Sequence, residues 1–334
     1  MRRRLPASTV ASVSVVIPAR NEETRIAACL AALPQKAEVI VVDDGSTDRT
    51  AAVAEALLNG RGTVTAAGPR PAGWTGKCWA AWRGAEMATR EVVVFLDADT
   101  ILNPGALEAA AGETIAGGLV SFLTRYEMPT PAERALMPAF ALLQLAVWPL
   151  GLLPLAYGPF MAARRADYLA AGGHRAIAGS VREDLDLARL FAAQGRPVRL
   201  LRGADLGSTR HYRTARQVAD AWRRMFYAYG GHSLAVALAG LAGLATVFLL
   251  PPLLLVLAWS SIDRPALAGA VGGVTALLAL RLAVAVSERQ PLSTIAWHGV
   301  TWAATLGAMA VSTADGLFGR RPVWRGRELA GGRG

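Results

Sequence analysis

The chain has 334 residues, 53% of them hydrophobic, and a positive mean hydropathy, which is too apolar for a purely soluble protein, so part of it is expected to meet lipid. Its formal net charge of +10 does not point to nucleic acid. The arginines gather beside apolar segments, at Arg2 to Arg4, Arg223 and Arg224, and Arg320 to Arg333, as expected beside an anionic membrane leaflet, and no helix-turn-helix, zinc-finger or RNA-recognition pattern occurs.

The stretch from Met1 to Ser12 is basic but has no apolar core before Val13, so no cleaved signal peptide is expected and the N-terminal domain is expected in the cytosol. From Val13, strand-like and helix-like stretches alternate: Val13–Ile17, Glu23–Leu33, Val39–Val42, Arg49–Asn59, Thr63–Ala66, Lys77–Thr89 and Val92–Leu96. This alternation predicts βαβ units on a parallel, doubly wound sheet. Ser46 or Thr47 is expected to cap the second helix, with Asp48 in its first turn, and Pro104 to open a helix over Gly105–Ala111. Cys29 and Cys78 fall in amphipathic helices and are expected to be buried thiols.

Polar residues follow the strands at one edge: Pro18-Ala19-Arg20-Asn21-Glu22, then Asp43-Asp44-Gly45-Ser46, then Asp97-Ala98-Asp99. Two carboxylates two residues apart at a strand end suit a divalent cation that shares its coordination with phosphate, although an acidic turn is the plainer reading. Asp43 and Asp44 equally suit the Gly45 turn and a helix cap. No Gly-x-Gly-x-x-Gly follows the first strand, and Gly76-Lys77 lacks the rest of a P-loop, which disfavours an NAD oxidoreductase or a P-loop NTPase.

The segments Val15–Glu22, Val41–Asp48 and Asp97-Ala98-Asp99 resemble, in order and spacing, the nucleotide-sugar motifs of family 2 glycosyltransferases. Gly158–Arg165, Gly172-Gly173-His174 and Glu183-Asp184 resemble that family's acceptor-side and catalytic-base motifs, so the resemblance covers about residues 13–230. Within it, Gly73-Trp74-Thr75-Gly76-Lys77, Trp79-Ala80 and Trp324-Arg325-Gly326-Arg327 are similar to membrane-bound enzymes that glycosylate carotenoid- or hopanoid-like lipids.

The resemblance implies an α/β GT-A domain and inverting transfer from a UDP-sugar to a hydroxyl or carboxyl of a lipid-like acceptor of carotenoid, hopanoid or polyisoprenoid type. It places Asp43 and Glu22 on uracil and ribose, with Pro18, Ala19 and Asn21 shaping the pocket wall and Asp44 as a further contact. Asp99 with Asp97, flanking Ala98, is implied to hold Mg²⁺ or Mn²⁺ against the diphosphate. Lys77, after a glycine-rich loop, is read either as a phosphate contact or as a solvated surface lysine.

Asp184 is implied as general base, with Glu183 raising its pKa, while acidic residues at a helix N-terminus, Asp186 included, are also ordinary dipole partners. Processive members carry Gln-x-x-Arg-Trp after the base, whereas here Gln217 is followed by Trp222-Arg223-Arg224, so transfer of one or a few sugars is expected. His211, Tyr212, Arg213, Trp222 and Arg223, with Gly158 and His174, are then expected at the diphosphate or acceptor. A polymer synthase of the same family and a non-catalytic membrane scaffold remain rival readings.

The expected organisation is a catalytic domain over 1–230, membrane helices over 231–318 and a basic cytoplasmic tail over 319–334, in a multi-pass plasma-membrane protein with its catalytic domain in the cytoplasm. Three stretches reach spanning length, about Ser233–Ser260, Pro265–Ser287 and Pro291–Leu317, with Pro251-Pro252 expected to kink or break the first. Three crossings would put the arginine-rich tail outside, so one segment is expected to be re-entrant or interfacial. Thr294, His298, Thr301, Thr305 and Ser312 form a polar stripe expected to face other helices. The apolar run Ala135–Tyr157 is read as an interfacial helix leading a greasy acceptor to the site, with an internal core helix as the alternative.

Overall fold

The valine-rich runs of the first hundred residues fold as strands in the computed structural model, which describes residues 12–147, 154–229, 233–261, 264–318, 323–324 and 327–328. In chain order, β1 (Val13–Ala19), α1 (Ile26–Ala31), β2 (Glu38–Asp43), α2 (Thr50–Leu58), β3 (Gly62–Ala66), α3 (Gly76–Met87) and β4 (Val92–Leu96) follow one another. These four strands run parallel in the order β3-β2-β1-β4. β1 and β4 are apolar on both faces because each face is covered: Val15, Ile17 and Val94 pack on one side, Val16, Val93 and Phe95 on the other. Cys29 and Cys78 are buried free thiols, as expected.

Next come β5 (Thr100–Leu102), α4 (Ala106–Thr114), β6 (Leu119–Leu123) and the short β7 (Arg125–Tyr126), after which the chain enters α5 (Pro131–Leu136) and α6 (Pro138–Val147). It returns with β8 (Phe160–Arg164), α7 (Arg165–Ala170), α8 (Gly173–Ala176), α9 (Glu183–Ala193), β9 (Val198–Arg202) and β10 (Gly207–Thr209). β8 inserts between β4 and β6 and is antiparallel to both, so the sheet is mixed in the order β3-β2-β1-β4-β8-β6-β9. The expectation of a parallel sheet holds for the first four strands and fails at β8. The antiparallel register, Leu96 opposite Phe160, brings the start of β8 to the edge where β1, β2 and β4 end.

Two helix starts differ from expectation. Neither Ser46 nor Thr47 caps α2. Ser46 turns back to Asp43, and Asp48 Oδ1 instead accepts from the Thr50 N–H at 3.0 Å. Pro104 stands outside α4, whose N-cap is Gly105 in the left-handed region at φ 91°.

The chain divides into two compact units, the first within Met1–Arg125 and Trp148–His211, the second within Tyr126–Val147 and Tyr212–Leu329. Residues 126–147 and 212–229 therefore join the second unit, whereas the motifs grouped them with 1–230. The reason lies in their packing: Phe140 contacts Trp222 with ring centroids 5.7 Å apart, and Thr301 Oγ1 donates to the Ala135 carbonyl. Ala135, Ala139, Ala141 and Leu142 are buried in this unit, and Leu155, Ala156 and Tyr157, at the end of the apolar run, are buried in the first; residues 148–153 lie outside the described residues.

The second unit continues with α10 (Ala215–Tyr229), α11 (Leu234–Ser261), α12 (Arg264–Ser287), a 3₁₀ helix (Leu292–Trp297) and α13 (His298–Leu317). α11 runs on through Pro251 and Pro252 as one assigned helix. α11 and α12 are long and apolar enough to cross a membrane. Thr294, Thr301, Thr305 and Ser312 are buried, and Thr301 and Thr305 return their hydroxyl protons to carbonyls four residues back. Of the basic tail, only Val323–Trp324 and Arg327–Glu328, a two-stranded pair, are described.

Candidate active site

The polar ends of the strands meet at one sheet edge. After β1, Asn21 adopts a left-handed conformation at φ 52°, tolerable for asparagine, and its Oδ1 accepts from the Thr47 N–H at 2.8 Å. That bond ties the β1 loop to the β2 loop. Asp43 closes its own turn by accepting from the Ser46 N–H at 3.2 Å, and buried Asp44 lies 3.7 Å from Arg20 Nη1. Gly76, the first residue of α3, has no room for a side chain, since a Cβ there would stand 1.9 Å from Asp44 Oδ2. Glu22 is buried, donates its N–H to Thr50 Oγ1 at 2.7 Å and pairs with Arg25 at 3.3 Å.

β4 delivers Asp97, Ala98 and Asp99. Ala98 is buried, while Asp99 lies 3.7 Å from Arg25 Nη1 and 3.5 Å from His211 Nδ1. Burial alone would raise the Asp99 pKa, but His211, Arg25 and Lys77 overcome it and hold the carboxyl below its usual range. His211 arrives because β10 pairs antiparallel with β5, Thr209 opposite Thr100, and its Nε2 lies 3.2 Å from Tyr157 Oη. Asp97, Asp99 and His211 each offer a ligand atom, all within 4.8 Å of one another. Asp99 Oδ1 is buried without a hydrogen-bond partner, as an oxygen reserved for a cation would be. The residues therefore fit a divalent cation.

Lys77, capped into α3 by Thr75, sits between two carboxylates. Its Nζ is 2.7 Å from Asp97 Oδ1 and 2.7 Å from Glu183 Oε1. Burial disfavours the ammonium, yet Asp97 and Glu183 hold its pKa well above the ordinary lysine value. It is not a solvated surface lysine. Asp184, beside Glu183 in the first turn of α9, accepts from the Gly158 N–H at 3.2 Å. Burial, then the Glu183 charge, raises its pKa to about 7. Gly158 is placed by the β8 register and by Pro159, whose carbonyl accepts from the Asp97 N–H at 3.1 Å.

Residues 14–168 match the family model of glycosyl transferase family 2. Over these residues the chain is similar to family 2 glycosyl transferases. It is 30% identical over 230 residues to a 4,4'-diaponeurosporenoate glycosyltransferase of Staphylococcus haemolyticus, covering 65% of this chain and 61% of that one. With the enzyme of the same name from Staphylococcus aureus it shares 28% over 243 residues, 67% of this chain and 64% of that one. The chain thus spans less than two thirds of the length of these relatives. In fold it is similar to a mannosyltransferase from Pyrobaculum calidifontis solved with GDP-Man and Mn²⁺, with a TM-score of 0.52 and 20% identity over 92% of this chain and 88% of that one.

The matched region and the residues after it do not gather every residue the motifs suggested. His174 is a core histidine: its Nδ1 lies 2.7 Å from Tyr168 Oη, Phe95 packs against its ring, and burial pushes its pKa down to about 3. Gly173 serves the same packing, because a Cβ would meet the Tyr168 ring at 2.3 Å. Trp222 and Arg223 belong to the second unit. Arg223 pairs with Asp315, and Trp222 and Arg223 line a groove of about 360 Å³ whose other walls include Leu136, Ala304, Gly307 and Ala308. Asp186 is engaged by Ser180 and Arg182, which leaves Asp184 as the carboxylate held against Gly158. The motifs singled out neither Arg25 nor Tyr157, although Tyr157 directly precedes the Gly158 motif.

Proposed function

We propose that this chain transfers a sugar, with inversion, from a UDP-sugar to a hydroxyl or carboxyl of a lipid-like acceptor, with Asp184 as general base. The observation that carries the reading is the continuity of the cluster, in which Lys77 joins Asp97 of the Asp-Asp-His group to Glu183 beside the base. In the proposed step the acceptor oxygen attacks the anomeric carbon as its proton passes to Asp184. The bond from that carbon to the donor phosphate breaks, and UDP leaves with the electron pair. Burial, then the Glu183 charge, keeps Asp184 basic enough to accept that proton near neutral pH.

Asp97, Asp99 and His211 would hold the cation, and an imidazole beside two carboxylates favours Mn²⁺ over all-oxygen Mg²⁺. Such a cation, when bound, neutralises charge on the departing diphosphate. Glu22 and Asp43, with Pro18, Ala19, Asn21 and Asp44 around them, are the proposed nucleoside contacts, and Ala98 lies between the two aspartates. The names of the relatives support a greasy acceptor.

α11 and α12 support membrane association; we further propose a plasma-membrane location, a catalytic domain on the cytoplasmic side, membrane helices over 231–318 and a basic tail over 319–334. The test is a donor screen on membranes from cells producing the protein, with mass analysis of the lipid extract. A new sugar–lipid mass that requires metal is the expected result. A long polymer instead, or no consumption of any UDP-sugar, would overturn the reading.

A further inference from the structure

Among its described residues, the second unit contains a buried guanidinium without a counter-ion. Arg281 lies on α12 and is 0% exposed, while its neighbours Leu280 and Leu282 are 48% and 45% exposed. Nη1 donates to Gln290 Oε1 at 2.7 Å, but Nε and Nη2 have no partner, and Arg281 forms no ion pair among the described residues. The adjacent acid, Glu288, accepts from Ser287 Oγ at 3.2 Å.

The unmet polar atoms extend along the next turn. Gln290 Nε2, Thr294 Oγ1 and both ring nitrogens of His298 are also buried without partners. Gln290 precedes the 3₁₀ helix, Thr294 lies within it, His298 opens α13, and α12 packs on the 3₁₀ helix. One wall beside them is apolar: Phe248 stacks on Trp302 with centroids 3.4 Å apart, and its ring lies 6.1 Å from that of His298.

An unpaired charge with unused donors is costly in such surroundings, and inside membrane helices it marks a binding site by default. A guanidinium, an amide NH₂, a hydroxyl and an imidazole together offer many donors, and the complementary ligand is an oxyanion. Arg281 stands six residues before the end of α12 at Ser287, or about 9 Å along the helix. That depth suits a group at the edge of the hydrocarbon layer. We infer that Arg281, Gln290, Thr294 and His298 form a socket for the carboxylate or phosphate of a net-anionic amphiphilic lipid, with its chain along the Phe248–Trp302 wall. The inference rests on the membrane placement proposed above and on none of the sugar chemistry.

The test uses the full chain purified in nonionic detergent, with oleate, phosphatidylglycerol, phosphatidylcholine and inorganic phosphate as probes. Oleate or phosphatidylglycerol should bind and raise the melting temperature, and phosphatidylcholine and phosphate should not. Arg281→Met should weaken that binding by about tenfold or more. Its lipid-free melting temperature should equal or exceed that of the wild type, because a buried unpaired charge has been removed. If that variant does not fold, Thr294→Val, which keeps the shape and loses the hydroxyl, should still weaken binding.

Equal responses to phosphatidylcholine, a full shift with phosphate alone, or wild-type binding by the folded variants would each overturn the socket. A failure of membrane placement is read separately, as absence of the protein from sedimented membranes.

Discussion

The Gly158 N–H donates to Asp184 Oδ2 across 3.2 Å, so the turn entering β8 holds the carboxylate that opens α9. A Cβ at Gly158 would stand 3.4 Å from Asp184 Oδ2 and 3.6 Å from both Glu183 Oε1 and Lys77 Nζ, in ordinary contact with no clash. Gly158→Ala should therefore fold with an unchanged melting temperature while its methyl occupies space beside the base. Transfer should drop by about tenfold at unchanged donor affinity, as expected for a displaced general-base proton path. A variant with full turnover would show that the acceptor does not pass this glycine.

Asp184→Asn should keep UDP-sugar affinity and lose transfer by about a hundredfold or more. The proposed base would work ionised, and the Asp184 pKa is raised to about 7. In the wild type, kcat/KM should thus fall as pH drops below about 7 and level off above it. A profile flat from pH 5 to 8 would indicate an acceptor that arrives already deprotonated, as a carboxylate does. The sign for stability is opposite: the fold binds the extra proton, so its advantage is present at low pH and lost as pH rises through about 7. The asparagine variant should accordingly show a smaller loss of melting temperature between pH 5 and pH 8.

Asp99→Asn preserves shape but removes the charge available to a cation, and transfer should nearly vanish while the far-UV spectrum stays the same. His211→Ala should raise the Mn²⁺ concentration for half-maximal activity by about tenfold or more, since one of three protein ligands is lost. Full wild-type activity in excess chelator would refute the metal assignment.

Lys77→Met removes the cation between Asp97 and Glu183. With Glu183 uncompensated, the proton on Asp184 becomes harder to remove, and the midpoint of the pH–rate profile should move upward. Donor affinity should fall as well. A weakened donor with an unmoved midpoint would confine Lys77 to the phosphate side.

The first four strands, their parallel order and the edge carrying Asp43, Asp97 and Asp99 were legible because β-branched runs and strand-end polar residues are local signals. So was Asp184 at the start of a helix. The insertion of β8 antiparallel between β4 and β6 was not legible, because register is set by pairing across the sheet rather than by period along the chain. That reversal places Gly158 against Asp184, and the β5–β10 pairing places His211 against Asp99. The same limit explains His174: a glycine-flanked histidine reads alike at a site or in a core, and only its burial against Tyr168 and Phe95 decides between them. Composition alone predicted lipid contact. Which polar residues of the apolar half are buried without partners, Arg281 above all, depends on how α12, the 3₁₀ helix and α13 pack, since burial belongs to the assembled helices and not to any one of them.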